Sequence, residues 1–221
     1  MKFIDSPKKR LTWYSLNYFY VTTIAVVLTN ILLYALHGTS TWLFEYGNES
    51  VIWERSFDFA HIWRCFLNNF GHGTWQHALL NMLCFFVVGL YLERKTGSLG
   101  LLGLVLSFAV LEGCVCAAAK GDFYFYGYSG VNYAFYAYVI IDYLFSLTKS
   151  RRNKTDLIFG GIVIALIYFA MCFSGGTSSV SFAPYPYDLL HNLGHGTGFF
   201  TGTIVALLVQ IPLTLAHKET A

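Results

Sequence analysis

The chain has 221 residues, of which 56% are hydrophobic, 19% aromatic and only 12% charged. A soluble domain typically carries about 25% charged residues, so this composition excludes a soluble domain and indicates an integral membrane protein. The net charge of +2, with no basic patch interleaved with aromatic residues, excludes a nucleic-acid-binding protein, and we expect no nucleic acid as a partner.

Six apolar stretches follow a polar, basic tail at residues 1–13. Each is long enough to cross a bilayer as a helix, which takes at least about 17 residues. The sequence therefore predicts an all-α membrane protein, a single domain over residues 1–221. We predict its membrane helices at residues 16–36, 75–92, 99–119, 129–147, 157–173 and 189–216.

The fourteen Lys and Arg residues are distributed unequally between the two sides of the membrane. With the N-terminus in the cytoplasm, the predicted helices leave only Arg55, Arg64 and Lys120 outside, so the other eleven of the fourteen lie inside. This bias is what the positive-inside rule expects. Both termini are therefore predicted to be cytoplasmic, and Ser129 opens its helix from the outer face.

Two long loops are predicted on the outer side. The loop at 37–74 contains three tryptophans, and aromatic residues concentrate at membrane interfaces, so we expect this loop in the headgroup layer. The loop at 174–188 is rich in Gly, Ser and Pro, which favours mobility. We expect it to be a cap that opens to admit substrate, with Phe182, Tyr185 and Tyr187 plugging the cavity beneath it.

Ser129 lies between two glycines in the sequence Gly127-Tyr128-Ser129-Gly130, at the start of the fourth predicted helix. Glycine permits a sharp backbone turn and the close approach of a neighbouring element. A serine held in such a turn is a candidate nucleophile. The alternative is a small residue that eases helix packing, and so short a motif does not distinguish the two.

His195 on the sixth helix can supply the base that a serine nucleophile needs. A serine hydroxyl is a weak nucleophile until an adjacent base accepts its proton, and histidine is the commonest such base. His195 lies near the outer end of its helix, and Gly198 and Gly202 form a small face one turn below it. Such a face lets another helix approach closely. If that neighbour is the fourth helix, His195 reaches Ser129.

His77 and Asn81 are four residues apart, on one face of the second predicted helix and near its outer end. Acyl transfer requires hydrogen-bond donors directed at the developing oxyanion, and both side chains can serve together with the backbone N–H of Ser129. Alternatively, the pair forms hydrogen bonds between helices that only stabilise the bundle. Both interpretations remain open on the residues alone.

Five motifs between Trp63 and Gly202 together resemble those of the rhomboid family of intramembrane serine proteases. The resemblance implies a six-helix bundle with cytoplasmic termini and a Ser129–His195 dyad without an acidic third member. It also implies an oxyanion hole that uses His77 and Asn81, and an aromatic residue, Tyr133, against which the histidine stacks. The motifs are Trp63-Arg64, His77-x-x-x-Asn81, Glu93-Arg94 with Gly97-Ser98, Gly127-x-Ser129-Gly130, and His195-x-x-Gly198-x-x-x-Gly202.

Three polar residues fall outside this pattern. Glu112 has no counterpart in the family motifs, and we expect it either to hydrate the cavity or to pair with a histidine. Asp142, near the inner end of the fourth helix, is interpreted as a carboxylate that extends to the membrane interface. His191 is interpreted as a cap or as a polar group of the cavity.

A metal site is the alternative use of the histidines. His72, His77, His191 and His195 could converge, and the i,i+4 spacing of the last two suits a metal ion. However, no carboxylate shares their helix faces, and a metal gives no reason for the Gly-x-Ser-Gly turn. We therefore predict no metal and no cofactor, and the five cysteines predict neither a zinc site nor a disulfide framework.

The sequence thus predicts an intramembrane serine endopeptidase of a bacterial inner membrane, with transmembrane proteins as substrates and membrane lipids as partners. It would cleave transmembrane segments near their outer ends. Two alternatives remain. One is a rhombosortase-type enzyme that processes the C-terminal membrane anchors of exported proteins. The other is a non-proteolytic relative that binds membrane proteins, although such relatives generally lack the dyad.

Overall fold

The computed structural model describes residues 20–37, 66, 68–118, 127–148, 154–175 and 180–219. The tail at 1–13, Trp63, Arg64 and most of the loop at 37–74 lie outside the described residues. In chain order the elements are helix α1 (Val21–His37), a 3₁₀ turn (Asn68–Phe70), α2 (Trp75–Ala118), α3 (Ser129–Thr148), α4 (Lys154–Met171), strands β1 (Phe173–Gly175) and β2 (Val180–Phe182), α5 (Tyr187–His191) and α6 (Leu193–Glu219).

Many large apolar side chains are exposed on the surface, while several polar ones are buried among the apolar residues of the core. Leu99 and Leu208 are 76% and 70% exposed, whereas Glu93 and Glu112 are fully buried. An apolar surface around buried polar groups fits a protein surrounded by lipid. Within the described residues, three segments are long and apolar enough to cross a membrane, namely Trp75–Val115, Lys154–Met171 and Leu193–Pro212.

Helix α2 consists of two antiparallel limbs joined at Gly97. Its 44 residues would form a rod about 66 Å long, roughly twice the hydrocarbon core of a bilayer. Gly97 leaves the helix with φ 76° and ψ 167°, which glycine adopts easily because it has no Cβ. Phe85 before the break and Phe108 after it pack on the same ring, that of Phe135, at 5.5 and 4.8 Å. The first limb (75–96) and the second limb (98–118) correspond to the spans predicted at 75–92 and 99–119.

The carboxylate of Glu93, near the end of the first limb, fastens α1 to α2. Its oxygens accept hydrogen bonds from the backbone N–H groups of Thr22 and Thr23, both at 2.9 Å. They also accept from Oγ1 of Thr23 at 2.6 Å and from Oγ of Ser98 at 2.5 Å. The first N–H groups of a helix have no partner within it. Glu93 therefore caps α1 and fixes the turn at Gly97, which gives the Glu-Arg and Gly-Ser motifs a structural role.

Helix α3 is the central helix of the bundle. Its residues 130–139 are all buried, and it packs against α2, α4 and α6. A helix that is covered on every side needs no polar face. Ser129, at the start of α3, is therefore held by a helix that packs against neighbouring helices on several sides.

Helices α3 and α6 run parallel and touch through their backbones. A Cβ on Gly198 would lie 2.1 Å from the carbonyl oxygen of Gly130, and one on Gly202 would lie 2.0 Å from that of Ala134. No real Cβ approaches an oxygen so closely, so only glycine fits at either position. The small face predicted on the sixth membrane helix (α6) packs on the fourth predicted helix (α3). This is the arrangement that would let His195 reach Ser129.

Asp142 lies in a buried network and does not extend to the interface, so that prediction was wrong. Its carboxylate accepts hydrogen bonds from the Tyr91 hydroxyl at 3.1 Å and from Nε2 of Gln210 at 3.0 Å, and it forms an ion pair with Lys95. A carboxylate inside a membrane protein needs such partners. They come from α2 and α6, and the sequence of α3 alone does not show what those helices present to it.

The predicted loop at 174–188 contains regular structure. Strands β1 and β2 pair antiparallel, with Phe173 opposite Phe182, and Phe169 of α4 packs on these two rings at 4.9 and 5.4 Å. Tyr187 begins α5 and stacks on His191 with 4.1 Å between ring centroids. Aromatic residues that we expected to plug the cavity thus have partners on α4 and α5. Residues 176–179 lie outside the described part.

All Lys and Arg residues in the described ranges lie at one end of the bundle. They are Arg94, Lys95, Lys154 and Lys218. Arg94 of the first limb pairs with Asp156 of α4, whereas Ser129 lies at the opposite end, where α3 begins. Arg55, Arg64 and Lys120, which we predicted on the outer side, lie outside the described residues, so the orientation of the termini stays a prediction.

Replacing Gly198 or Gly202 with alanine should lower the free energy of unfolding by about 1–3 kcal/mol or more, since this is the usual cost of overpacking. The obstructing atoms are backbone carbonyls, which cannot rotate away as side chains do. Thermal unfolding of the purified protein in detergent measures the effect. Gly103→Ala is the matched control, because a Cβ there meets nothing within 4 Å. Equal midpoints for all three variants would show that the α3–α6 contact tolerates a side chain.

Candidate active site

Ser129 follows a turn that glycine makes possible. Gly127 has a φ of 105°, which residues with a side chain rarely adopt. A Cβ at Gly127 would also lie 2.8 Å from Cε1 and 3.1 Å from Nε2 of His77. Gly127 therefore provides the backbone conformation before Ser129 and the space that the His77 ring occupies.

The ring of His195 stacks on that of Tyr133. Their centroids are 4.2 Å apart and their planes differ by 6°. Tyr133 comes four residues after Ser129 on α3, so the two side chains share one face of the helix, one turn apart. The contact of Gly198 with Gly130 brings the first turns of α3 and α6 together. The structure thus places His195 on the face of α3 that carries Ser129.

Asn192 starts α6, and the sequence analysis did not single it out. Its Oδ1 accepts a hydrogen bond from the backbone N–H of His195 at 3.3 Å, and asparagine is a preferred N-cap residue. The cap separates α5 from α6 within the stretch predicted as one helix at 189–216. An asparagine just before the Leu-Gly-His run was a signal that could have revealed this boundary. Asn192 thus holds the backbone of His195, whereas Tyr133 contacts its ring.

His77 and Asn81 lie on the first limb, facing the start of α3. His77 contacts Gly127, and its ring centroid is 5.1 Å from that of His72. Asn81 is 7% exposed, and its Nδ2 has no hydrogen-bond partner among the described residues. A buried donor without a partner costs stability, so it calls for a reason. One reason is that a ligand accepts its hydrogen bond.

His72 supports the turn before Ser129. Its Nδ1–H donates to the carbonyl oxygen of Phe70 at 3.2 Å, which leaves Nε2 as an acceptor 3.5 Å from the backbone N–H of Tyr128. Burial, followed by the proximity of His77, lowers the pKa of His72 from 6.5 to about 3. His72 is therefore neutral at physiological pH, as this pair of hydrogen bonds requires.

Glu112 of the second limb is fully buried against the first turn of α3. Its Oε1 lies 2.1 Å from the position that a Cβ on Gly130 would take. Gly130 therefore leaves room for this carboxyl group on one side and for α6 on the other. We expected Glu112 to hydrate the cavity or to pair with a histidine, and its contact with Gly130 was not predicted, because the family motifs do not include Glu112.

The four histidines considered for a metal site occupy different surroundings. His72 and His77 are neighbours, His195 stacks on Tyr133, and His191 is exposed with its Nδ1 3.0 Å from the carbonyl oxygen of Tyr187. In the part of the chain that the structure describes, no three His, Cys, Asp or Glu side chains are grouped so that they could hold a metal ion.

The sequence matches the family model of the Rhomboid domain over residues 60–211, which is more than half of the chain. The chain belongs to the rhomboid family. Rhomboid protease GlpG of Haemophilus influenzae is 28% identical to this rhomboid over 145 residues, which cover 66% of this chain and 68% of that protein. Rhomboid protease GlpG of Salmonella newport is 36% identical over 110 residues, which cover 48% of this chain and 37% of that protein.

A relative from Salmonella enteritidis, also named rhomboid protease GlpG, shows the same identity and coverage as the Salmonella newport protein. The chain therefore spans little more than a third of the length of the Salmonella relatives. Together with the apolar helices described above, membership of the family identifies this rhomboid as an integral membrane protein.

His72 should make the bundle less stable in acid. Its pKa is about 3 in the folded protein and 6.5 in the unfolded chain, so only the unfolded chain binds a proton between these values. The stabilisation is complete above pH 6.5 and is lost as the pH falls toward 3, by about 2 kcal/mol at pH 5. Thermal unfolding at pH 7, 6 and 5 should therefore show a flatter pH dependence for His72→Gln than for the wild type. Parallel curves would contradict the burial of a neutral His72.

Proposed function

We propose that this rhomboid is an intramembrane serine endopeptidase that hydrolyses peptide bonds in the transmembrane segments of other proteins, near their outer ends. The observation that carries the proposal is the stacked pair of Tyr133 and His195, which holds an imidazole on the face of α3 that bears Ser129. The relatives from Haemophilus and Salmonella are named rhomboid proteases, which supports the same reaction.

The proposed location is a bacterial inner membrane, with six membrane helices and both termini in the cytoplasm. The Lys and Arg residues of the described ranges lie at the end opposite Ser129, which the positive-inside rule assigns to the cytoplasm. The site then opens toward the outer face. Membrane lipids surround the bundle, and its substrates are transmembrane proteins.

Ser129 is the nucleophile and His195 carries the proton. His195 accepts the hydroxyl proton as Oγ of Ser129 attacks the carbonyl carbon of the scissile bond. The C–N bond of the tetrahedral intermediate then breaks, and His195 gives its proton to the leaving amine. A water molecule, deprotonated by His195, attacks the acyl-enzyme, and the proton returns to Oγ of Ser129 as the carboxylic acid leaves. The Tyr133 stack orients the imidazole throughout.

His77, Asn81 and the backbone N–H of Ser129 are the proposed oxyanion donors. Nδ2 of Asn81 lacks a partner among the described residues, so an oxyanion would satisfy a buried donor that is otherwise unpaired. Ser129 is the first residue of α3, where the N–H groups are not used by the helix itself. Removing one such donor typically lowers kcat by about 10²–10³.

A helical substrate must unwind before it can be cleaved. Its carbonyl groups are engaged in i→i−4 hydrogen bonds, and the carbonyl carbon is shielded by the surrounding side chains. Glycine and proline weaken a helix locally, and serine does so to a lesser degree. We therefore expect cleavage where such residues occur near the outer end of a transmembrane segment.

Ser129→Ala and His195→Ala should each abolish cleavage of membrane-anchored substrates while leaving the protein folded. Because nucleophile and base act as one unit, the double variant should be no slower than either single variant. The assay uses purified protein in lipid vesicles with a panel of single-span substrates, and mass spectrometry identifies the products. Ser107→Ala is the matched control, since Ser107 is exposed on the second limb. Substantial turnover by Ser129→Ala would rule out Ser129 as the nucleophile.

Tyr133→Phe keeps a ring beneath His195, whereas Tyr133→Leu removes it. The Tyr133 hydroxyl has no hydrogen-bond partner among the described residues, so the phenylalanine variant should retain the wild-type kcat. An aromatic stack is worth about 0.5–1.5 kcal/mol, and the leucine variant should therefore lose roughly tenfold in kcat as His195 becomes less well oriented. The kcat values of the two variants are measured in the vesicle assay. Equal kcat values for the two variants would show that another contact orients His195.

A further inference from the structure

Asn132 is a buried polar residue for which neither the family motifs nor the proposed reaction gives a role. It lies on α3 three residues after Ser129 and is 1% exposed. Its neighbours Val131 and Tyr133 are also buried, so an apolar residue would fit the position better on hydrophobic grounds. An amide that is kept in such surroundings needs compensating hydrogen bonds.

The amide of Asn132 binds one residue, Asn81 of the first limb. Its Nδ2 donates to the backbone carbonyl oxygen of Asn81 at 2.9 Å and to Oδ1 of Asn81 at 3.3 Å. The two residues are 51 apart in the sequence, so these bonds tie the first limb to α3. They also reach both the main chain and the side chain of Asn81.

The bond to Oδ1 determines which way the Asn81 amide faces. If that amide were turned over, its NH₂ group would meet the NH₂ group of Asn132, and two donors would oppose each other. With Oδ1 engaged, the NH₂ group of Asn81 is directed away from Asn132. It is this Nδ2 that has no hydrogen-bond partner among the described residues.

We propose that Asn132 is a positioning residue that holds the Asn81 amide with its NH₂ group toward the carbonyl oxygen of the scissile bond. The inference rests on the proposed function, because it assigns a purpose to the Asn81 donor in that reaction. Asn132 itself does not touch the substrate. Without it, the Asn81 amide can rotate or turn over, and part of the population presents an oxygen to the developing oxyanion.

The test compares the wild type in the vesicle assay with Asn132→Leu, which keeps the branched shape and the number of side-chain heavy atoms of asparagine but cannot donate. We expect kcat to fall about 10- to 100-fold, somewhat less than for loss of the donor itself, with little change in KM. Affinity for a peptide aldehyde, which forms a tetrahedral adduct with a serine, should fall by a similar factor. Asn30→Leu is the matched control, because Asn30 is equally buried and, among the described residues, its side chain bonds within its own helix, to the carbonyl of Val26.

The double variant Asn81→Ala/Asn132→Leu separates positioning from bundle stabilisation. If Asn132 acts through Asn81, the double variant should have the kcat of Asn81→Ala alone. Losses that multiply, or an Asn132→Leu variant with the wild-type kcat, would overturn the proposal. Should Asn132→Leu fail to fold, Asn132→Ala makes the same comparison with a smaller side chain.

Failure of this inference differs from failure of the proposed function. The proposed function fails if the wild type cleaves no membrane-anchored substrate or if Ser129→Ala still does. The role of Asn132 fails while the function stands if the wild type is active, Ser129→Ala is inactive, and Asn132→Leu changes only the thermal midpoint.

Discussion

The backbone contact between α3 and α6 sets the position of the groups in the site. If the register of this contact is continued toward the starts of the two helices, His195 lies level with Gly127. The Tyr133 ring reaches that level because helical side chains point toward the N-terminus. A side chain at the contact would therefore move the histidine away from the serine as it moved the helices apart. The members of three contacting pairs are each 68 residues apart: Gly130 with Gly198, Ala134 with Gly202, and Asp142 with Gln210.

Buried polar groups behave differently at the two ends of the bundle. At the basic end, the carboxylates of Glu93 and Asp142 have partners from neighbouring elements, and such satisfied networks make a core rigid. At the end that carries Ser129, the donor of Asn81 has no partner in the described residues. One end thus anchors the helices, and the other retains a buried donor that the proposed reaction would use.

The helices, and the contact of His195 with the helix that carries Ser129, could be predicted because both depend on local patterns, namely the length of apolar runs and the spacing of short motifs. The break at Gly97 lies between the spans predicted at 75–92 and 99–119, because those spans were also predicted from the length of apolar runs. The network of Asp142 and the hydrogen bonds of Asn132 could not be predicted, since their partners lie 47 to 68 residues away on other helices. The β1–β2 pair was missed because Gly and Ser favour loops, whereas pairing of Phe173 with Phe182 depends on a surface that α4 provides.

The direction of the helices also determines the electric field at the site. The first limb of α2, α3 and α6 all begin at the end that carries Ser129, and each helix start carries the equivalent of roughly half a positive charge. In a protein interior these partial charges are screened far less than in water. The helix starts therefore favour negative charge on an oxygen that lies between them, even without a contribution from the side chains. The same serine and histidine on helices of the opposite direction would meet a field of the wrong sign, so the direction of the helices would contribute to the proposed reaction.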